Sequence, residues 1–186
     1  MGKVIVLINI TADGFCDAQL VNANAEFHEF AHTLIDGAAV VGFGRNSFEL
    51  FQQVWPAVLE KEGQPESQVR MARRLTDTPK LVFSHTLEHF TWRNSTIVKS
   101  ADAGVISRYK AAGSGGLLTI GSPGLVADLT RQGLVDDYYF SVQPVIAGGG
   151  GFRLFDKFQL DARVPLKYVE SKALGSGVII NHYQPA

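Results

Sequence analysis

Three turns in this sequence combine glycine or hydroxyl residues with a following helix or turn signal, and each closes a short apolar run. They are Gly44-Arg45-Asn46-Ser47, Ser84-His85-Thr86 and Gly121-Ser122-Pro123-Gly124-Leu125. The chemistry such turns support is anion binding. Glycine lets the main chain approach a ligand closely, and the first turn of a helix offers N–H groups without an intrahelical acceptor at the positive end of its dipole. Arg45 adds a planar donor fork that matches a phosphate. Taken singly, each turn has a plainer reading, because glycine turns between strand and helix occur throughout α/β proteins. Three of them along one sheet edge would suffice for the phosphates and ribose of an extended dinucleotide.

Other candidate chemistry is thinner. Gly42 and Gly44 start a G-x-G spacing, but Ser47 stands where the third glycine belongs, and the glycines at 148–151 are followed by Arg153 and Leu154, so a Rossmann fingerprint is missing. Neither a G-x-x-x-x-G-K-[ST] loop nor a G-x-S-x-G elbow occurs. His28 and His32 lie four apart and could grip a metal from one helix face. With no third ligand in register, they read instead as solvated or hydrogen-bonded histidines, and no metal is expected. His85, His89 and His182 are scattered. The lone cysteine, Cys16, rules out an internal disulfide and reads as a small buried or half-buried side chain.

The three turns need a frame to hold them. Lys3 to Ile10 is an almost continuous apolar run, as expected of a central parallel strand, and it ends in Thr11-Ala12-Asp13-Gly14-Phe15, where α/β sheets place ligands. Asn24 caps a helix with Phe27, Phe30, Ala31, Leu34 and Ile35 on its apolar side and His28 and His32 on the other, closed by Gly37. Ala38 to Phe43 is a second strand. Asn46 then caps a helix, with Glu49 as its reciprocal partner and Phe48, Phe51, Trp55, Val58 and Leu59 as its buried face; Pro56 should kink or break it. Gly63 to Thr78 reads as a solvated surface excursion with a short helix near Gln68 to Leu75. Strands follow at Lys80 to Ser84 and Ser95 to Lys99, and a weak helix at Ala101 to Ala112. In the stretch Gly113 to Gly133, Leu117 to Ile120 is a buried strand, Ser122 an N-cap and Pro123 the first helical residue, with Leu125, Val126 and Leu129 facing inward. Tyr138 to Val142 is strand-like, and Leu166 to Val169 with Val178 to Tyr183 read as a hairpin turning at Gly175-Ser176-Gly177. Alternating early elements and a non-alternating end predict an α/β fold whose mostly parallel sheet gains antiparallel C-terminal strands.

At 186 residues the chain is expected to form one domain, 1–186. A net charge of -1 and the absence of a basic run argue against nucleic acid as a partner. The N-terminal apolar run is too short for a signal peptide and nothing approaches a membrane span, so a cytoplasmic protein is expected.

Order and spacing also resemble a family. Thr11 to Phe15, Gly44-Arg45-Asn46-Ser47-Phe48-Glu49, Lys80 to Ser84, Trp92-Arg93-Asn94-Ser95, Gly121-Ser122 with Leu125, Gly133 to Asp137, and Pro144-Val145 through Gly148 to Leu154-Phe155 together look like a stand-alone member of the dihydrofolate reductase-like superfamily, in the branch of the riboflavin-biosynthesis reductase C-terminal domain. The resemblance implies a three-layer α/β/α fold that binds NADPH along its sheet edge and reduces a small heterocycle, with a pyrimidine ribosylamine favoured over a folate or pterin. A nucleotide-binding protein without turnover and a phosphate-handling enzyme without nicotinamide stay open beside it.

Carried over by motif, Gly44, Arg45, Asn46, Ser47, Ser84, His85 and Thr86 would hold the adenosine-side phosphates. Gly121, Ser122, Pro123, Gly124 and Leu125 would hold the diphosphate, with Ala12 and Gly14 near the nicotinamide. His85 stands where many relatives have arginine, which leaves NADH open beside NADPH. Folate-acting relatives place a proton-supplying carboxylate on the first helix, making Glu26 and Glu29 candidate donors. Phe27, Phe30, Phe48, Phe51 and Trp55 are candidates for the substrate cleft, against a plain core role. Relatives commonly dimerise, so a homodimer is implied.

Overall fold

The computed structural model describes residues 2–111, 115–149, 151–156, 160 and 162–186. Its centre is β1 (Lys3–Thr11), whose apolar run is buried on both faces because strands flank it and helices cover it. Parallel neighbours are β6 (Gly116–Ile120) and β7 (Asp137–Gln143). Beyond β6 lie β3 (Val40–Gly44), β4 (Lys80–Phe83) and β5 (Ser95–Val98), also parallel; beyond β7 come β10 (Ile179–Pro185) and β9 (Leu166–Ala173), antiparallel. The eight-stranded order is thus β5-β4-β3-β6-β1-β7-β10-β9, the mostly parallel sheet with an antiparallel C-terminal hairpin that the sequence predicts. A two-stranded ribbon of β2 (Phe15–Cys16) and β8 (Phe152–Arg153) was not foreseen.

Helices α1 (Ala25–Asp36), α2 (Arg45–Glu60) and α3 (Glu66–Asp77) share one core with Phe27, Ala31, Ile35, Phe48, Met71 and Leu75. Helices α4 (Ala103–Ala111) and α5 (Pro123–Arg131) contribute Ile106, Val126 and Leu129 to the core on the other face. The chain leaves β3 into α2 on the first face and leaves β6 into α5 on the second. These strands are neighbours, so the crevice at their carboxyl ends is a topological switch point, where open α/β sheets bind ligands. Glycine permits the entry into β6: at Gly116, φ is +130° and a Cβ would lie 2.1 Å from the Lys3 carbonyl oxygen.

Several local expectations need correction. The segment before β4 is no solvated excursion, because Met71, Ala72, Leu75 and Thr76 of α3 are buried; a narrow i, i+4 stripe was masked by the charges around it. Pro56 does not break α2, which runs on to Glu60; a prolyl φ is helical and only one late hydrogen bond is lost. Asn46 lies inside α2, and Gly44 is the N-cap. Leu59 is exposed and Phe48 is the one fully buried residue of α2, since that helix packs along one side. Of the stretches read from sequence, Ala112, Gly113, Ser114 and Gly150 lie outside the described residues.

Lys80 is only 1% exposed although charged. Its Nζ donates to the carbonyls of Leu75, Thr76 and Thr78 at 2.8, 3.1 and 2.8 Å, satisfying the free acceptors at the end of α3, and lies 4.6 Å from the Trp92 ring centre. Burial pulls its pKa down to about 8. No helix among the described residues is long and apolar enough to cross a membrane.

Candidate functional site

The switch-point crevice is built from two helix starts that hold each other. Ser122 takes a left-handed conformation, φ 55°, directly after Gly121 at φ +67°. Ser122 holds the N-cap position that the sequence predicts, but its hydroxyl makes no capping bond to its own helix. Instead Ser122 Oγ accepts the Gly44 N–H at 3.0 Å, and the Ser122 N–H donates to Ser47 Oγ at 3.0 Å. This reciprocal lacing ties the start of α2 to the start of α5. Neither start carries a side-chain cap, and the first N–H groups of each helix have no intrahelical acceptor. At α5 these belong to Gly124 and Leu125; Pro123 has none to offer. Two aligned positive helix ends in one crevice form an anion cradle.

The third turn joins the same network. Ser84 Oγ, buried, accepts the N–H groups of Thr86 and Leu87 at 3.2 and 3.0 Å. Thr86 Oγ1 in turn accepts from Arg45 Nη1 at 2.8 Å, while Arg45 Nε donates to Glu49 Oε1 at 3.0 Å. Arg45, Ser84 and Ser122 thus lie along one rim. From it a groove of about 590 Å³ extends, lined on one side by Gly44, Phe83 and His85 and on the other by Gly124 and Leu125. Sequence reading missed the groove's remaining polar lining, which includes Lys99, Asp102, Asp128 and Arg131. The only sequence signal was their position just past β5 and one or two turns into α5.

Further along the rim, Ala12 and Gly14 sit in a loop clamped by Asp13. Its carboxylate accepts the Thr11 hydroxyl at 2.6 Å and the N–H groups of Ala147 and Gly148 at 3.0 and 2.9 Å. These bonds, the Thr11 hydroxyl foremost, hold the carboxyl down at about 2. Ala12 N–H donates to the Val145 carbonyl at 2.9 Å, which ties the loop after β1 to the segment after β7.

A family model described as the RibD C-terminal domain matches residues 2–180. The chain belongs to that family. It is 22% identical over 184 residues to YyaP of Bacillus subtilis (strain 168), an uncharacterized protein, covering 95% of this chain and 92% of that one. Among solved structures it is similar to a pyrimidine reductase-like protein of Corynebacterium diphtheriae (TM-score 0.65, 11% identity, 100% of this chain and 92% of that one). It also matches the Thermotoga maritima diaminohydroxyphosphoribosylaminopyrimidine deaminase/5-amino-6-(5-phosphoribosylamino)uracil reductase (TM-score 0.67, 14% identity), covering all of this chain but 57% of that one. At these identities the structural likeness speaks for the fold.

In this RibD C-terminal domain the two candidate proton donors diverge. Glu26 lies in the first turn of α1 at the rim, exposed, and its Oε2 accepts the Gly175 N–H at 2.7 Å from the β9–β10 turn. Glu29 points elsewhere, to an ion pair with Arg70 of α3. The aromatic candidates divide as well. Phe27 and Phe48 are buried, whereas Phe30, Phe51 and Trp55 are half-buried, with Phe51 between Phe43 and Trp55 at ring distances of 5.1 and 6.2 Å. The histidine pair does not converge. His32 pairs with Asp36, and His28 is not on a solvated side at all: it is buried edge-on to Trp55, and burial lowers its pKa. The surface of α1 that meets α2 and α3 is wider than the apolar stripe alone. Among the described residues no cluster of three or more His, Cys, Asp or Glu could hold a metal. Burial first, then the Asp156 charge, pushes the Cys16 thiol up to about 11.

Proposed function

We propose that this chain is an NADPH-dependent reductase that delivers hydride to a small planar heterocycle, of the type named in the Thermotoga maritima relative, a 5-amino-6-(5-phosphoribosylamino)uracil reductase. The observation that supports the reading is the lacing of two helix starts without side-chain caps at the switch point, beside a groove of about 590 Å³. The residues fit a dinucleotide: the N–H groups of Asn46, Ser47, Gly124 and Leu125 face a diphosphate, and Gly121 and Ser122 shape the turn that lets it approach. Arg45, Ser84, His85 and Thr86 serve an adenosine-side phosphate, and Ala12 and Gly14 border the nicotinamide. When bound, the nicotinamide supplies the hydride. The protein's share is to hold that ring against the acceptor, exclude water with Phe30, Phe51 and Trp55, and supply a proton, for which Glu26 is the rim carboxylate.

The exposure of Glu26 favours a second reading, a nucleotide-binding protein without turnover. Loss of reduced-nicotinamide absorbance with ribosylaminopyrimidine phosphates, pterins or quinones separates the two: turnover with any of them supports the reductase, and NADPH binding with no turnover supports the binder. The same proposal includes a homodimer through the C-terminal hairpin, where Leu166, Tyr168, Val169 and Ile179 are exposed; a monomer in light scattering would remove that part.

A further inference from the structure

Arg45 stands at a place that helix energetics do not favour. It is the first residue of the sixteen-residue α2, where the dipole already presents positive charge. Its partner Glu49 is four residues C-terminal to it, the weaker orientation for a helical ion pair. The pair is therefore poorly explained as a helix stabiliser. Its geometry concerns the guanidinium instead: Nε is taken by Glu49 at 3.0 Å and Nη1 by Thr86 at 2.8 Å. One donor is thereby taken from each of the two forks, Nε with Nη2 and Nη1 with Nη2, with which an arginine grips a phosphate in two-point fashion. The neighbouring charges leave no surplus to make up for them. Arg131 is paired with Asp128 at 2.8 Å, and the groove's remaining cation, Lys99, shares it with the Asp102 carboxylate.

We propose that Glu49 is a specificity-determining residue: it occupies Arg45 as a resident anion that a phosphate on the adenosine ribose must displace, and it thereby narrows the groove's preference for 2′-phosphorylated over plain adenine nucleotides. This rests on the nucleotide-binding reading of the rim. A carboxylate at position 49 makes the 2′-phosphate pay an exchange, one anion for another on the same donors. A neutral acceptor there would keep the arginine in place and lift the competition.

The test is calorimetric titration of the whole chain with 2′,5′-ADP and with 5′-AMP, for the wild type, Glu49→Gln, Arg45→Ala and the double variant. Glu49→Gln should tighten 2′,5′-ADP about threefold, the scale of an exposed ion pair, and leave AMP unchanged. In the Arg45→Ala background the gain should vanish. An unchanged or lowered 2′,5′-ADP to AMP ratio in Glu49→Gln overturns the proposal and leaves the nucleotide site standing. A wild type that binds neither nucleotide overturns both. Equal shifts for the two nucleotides would mark Glu49 as merely structural and also overturn it.

Discussion

Removing the Ser122 hydroxyl is the sharpest way to probe the laced helix starts. Ser122 is 3% exposed and its Oγ is the acceptor for the Gly44 N–H at 3.0 Å. In Ser122→Ala that N–H loses its partner inside the crevice, which costs about 1–3 kcal/mol. Ser122→Gly loses the same bond but relieves a left-handed residue at φ 55°, recovering about 1 kcal/mol. Glycine should therefore be better tolerated than alanine, the order also found at ordinary N-caps. For a chain of this length about 1 kcal/mol moves the melting midpoint by about 2–4 °C, so alanine should melt about 2–12 °C below the wild type and glycine about 4 °C closer to it at most. Denaturant titrations at constant slope, with melting repeated in the presence of NADPH, measure both stability and binding. Because Ser47 and Ser122 act in one network, the Ser47→Ala/Ser122→Ala pair should be less destabilised than the sum of its parts. Alanine melting with the wild type, or glycine melting below alanine, would refute the lacing.

Two further outcomes follow from the buried and clamped charges. Asp13 has its folded pKa lowered from 3.8 to about 2, so it contributes stability above the unfolded value that is lost as pH falls through the folded one; Asp13→Asn should flatten acid unfolding between pH about 4 and 2 and loosen the loop at Ala147 and Gly148, measured by amide exchange. Lys80 has its folded pKa lowered from 10.5 to about 8. Between these values the unfolded chain binds the extra proton, so unfolding free energy should rise with pH there. Lys80→Met should abolish that slope in denaturant titrations and, by leaving three carbonyls unpaired, cost about 2–4 kcal/mol at neutral pH.

What was legible in the sequence follows from where information is stored. Strands buried on both faces announce themselves as apolar runs, so β1, β3, β4 and β6 and their order of helices could be read directly. Asn24 was read correctly as a cap because its side chain acts locally, accepting the Phe27 N–H three residues on. Ser122 was placed correctly at the start of α5, but the partner of its hydroxyl was hidden for the converse reason. Its hydroxyl serves an N–H 78 residues away in sequence, and the residue type that makes a good local cap is equally suited to a distant one. Lys80 is another such case, a charge placed in a strand whose acceptors lie on the end of the preceding helix.

A similar distinction runs along the rim. Main chain builds the turns at 44–47, 84–86 and 121–125: Gly121 and Ser122 take left-handed conformations and Gly44 is the N-cap of α2, and glycine and hydroxyl residues at such places are visible in the sequence. The aromatic candidates, by contrast, are side chains brought together by α1 and α2. Phe30, Phe51 and Trp55 recur on the same helices at helical spacing with the buried Phe27 and Phe48, and only the contacts made in the fold set which rings keep an exposed face. Glu26 is set apart from Glu29 by the N–H of Gly175, a residue 149 positions downstream. A turn made of backbone can be read from residue types, whereas a cluster of packed side chains has to be read from the fold.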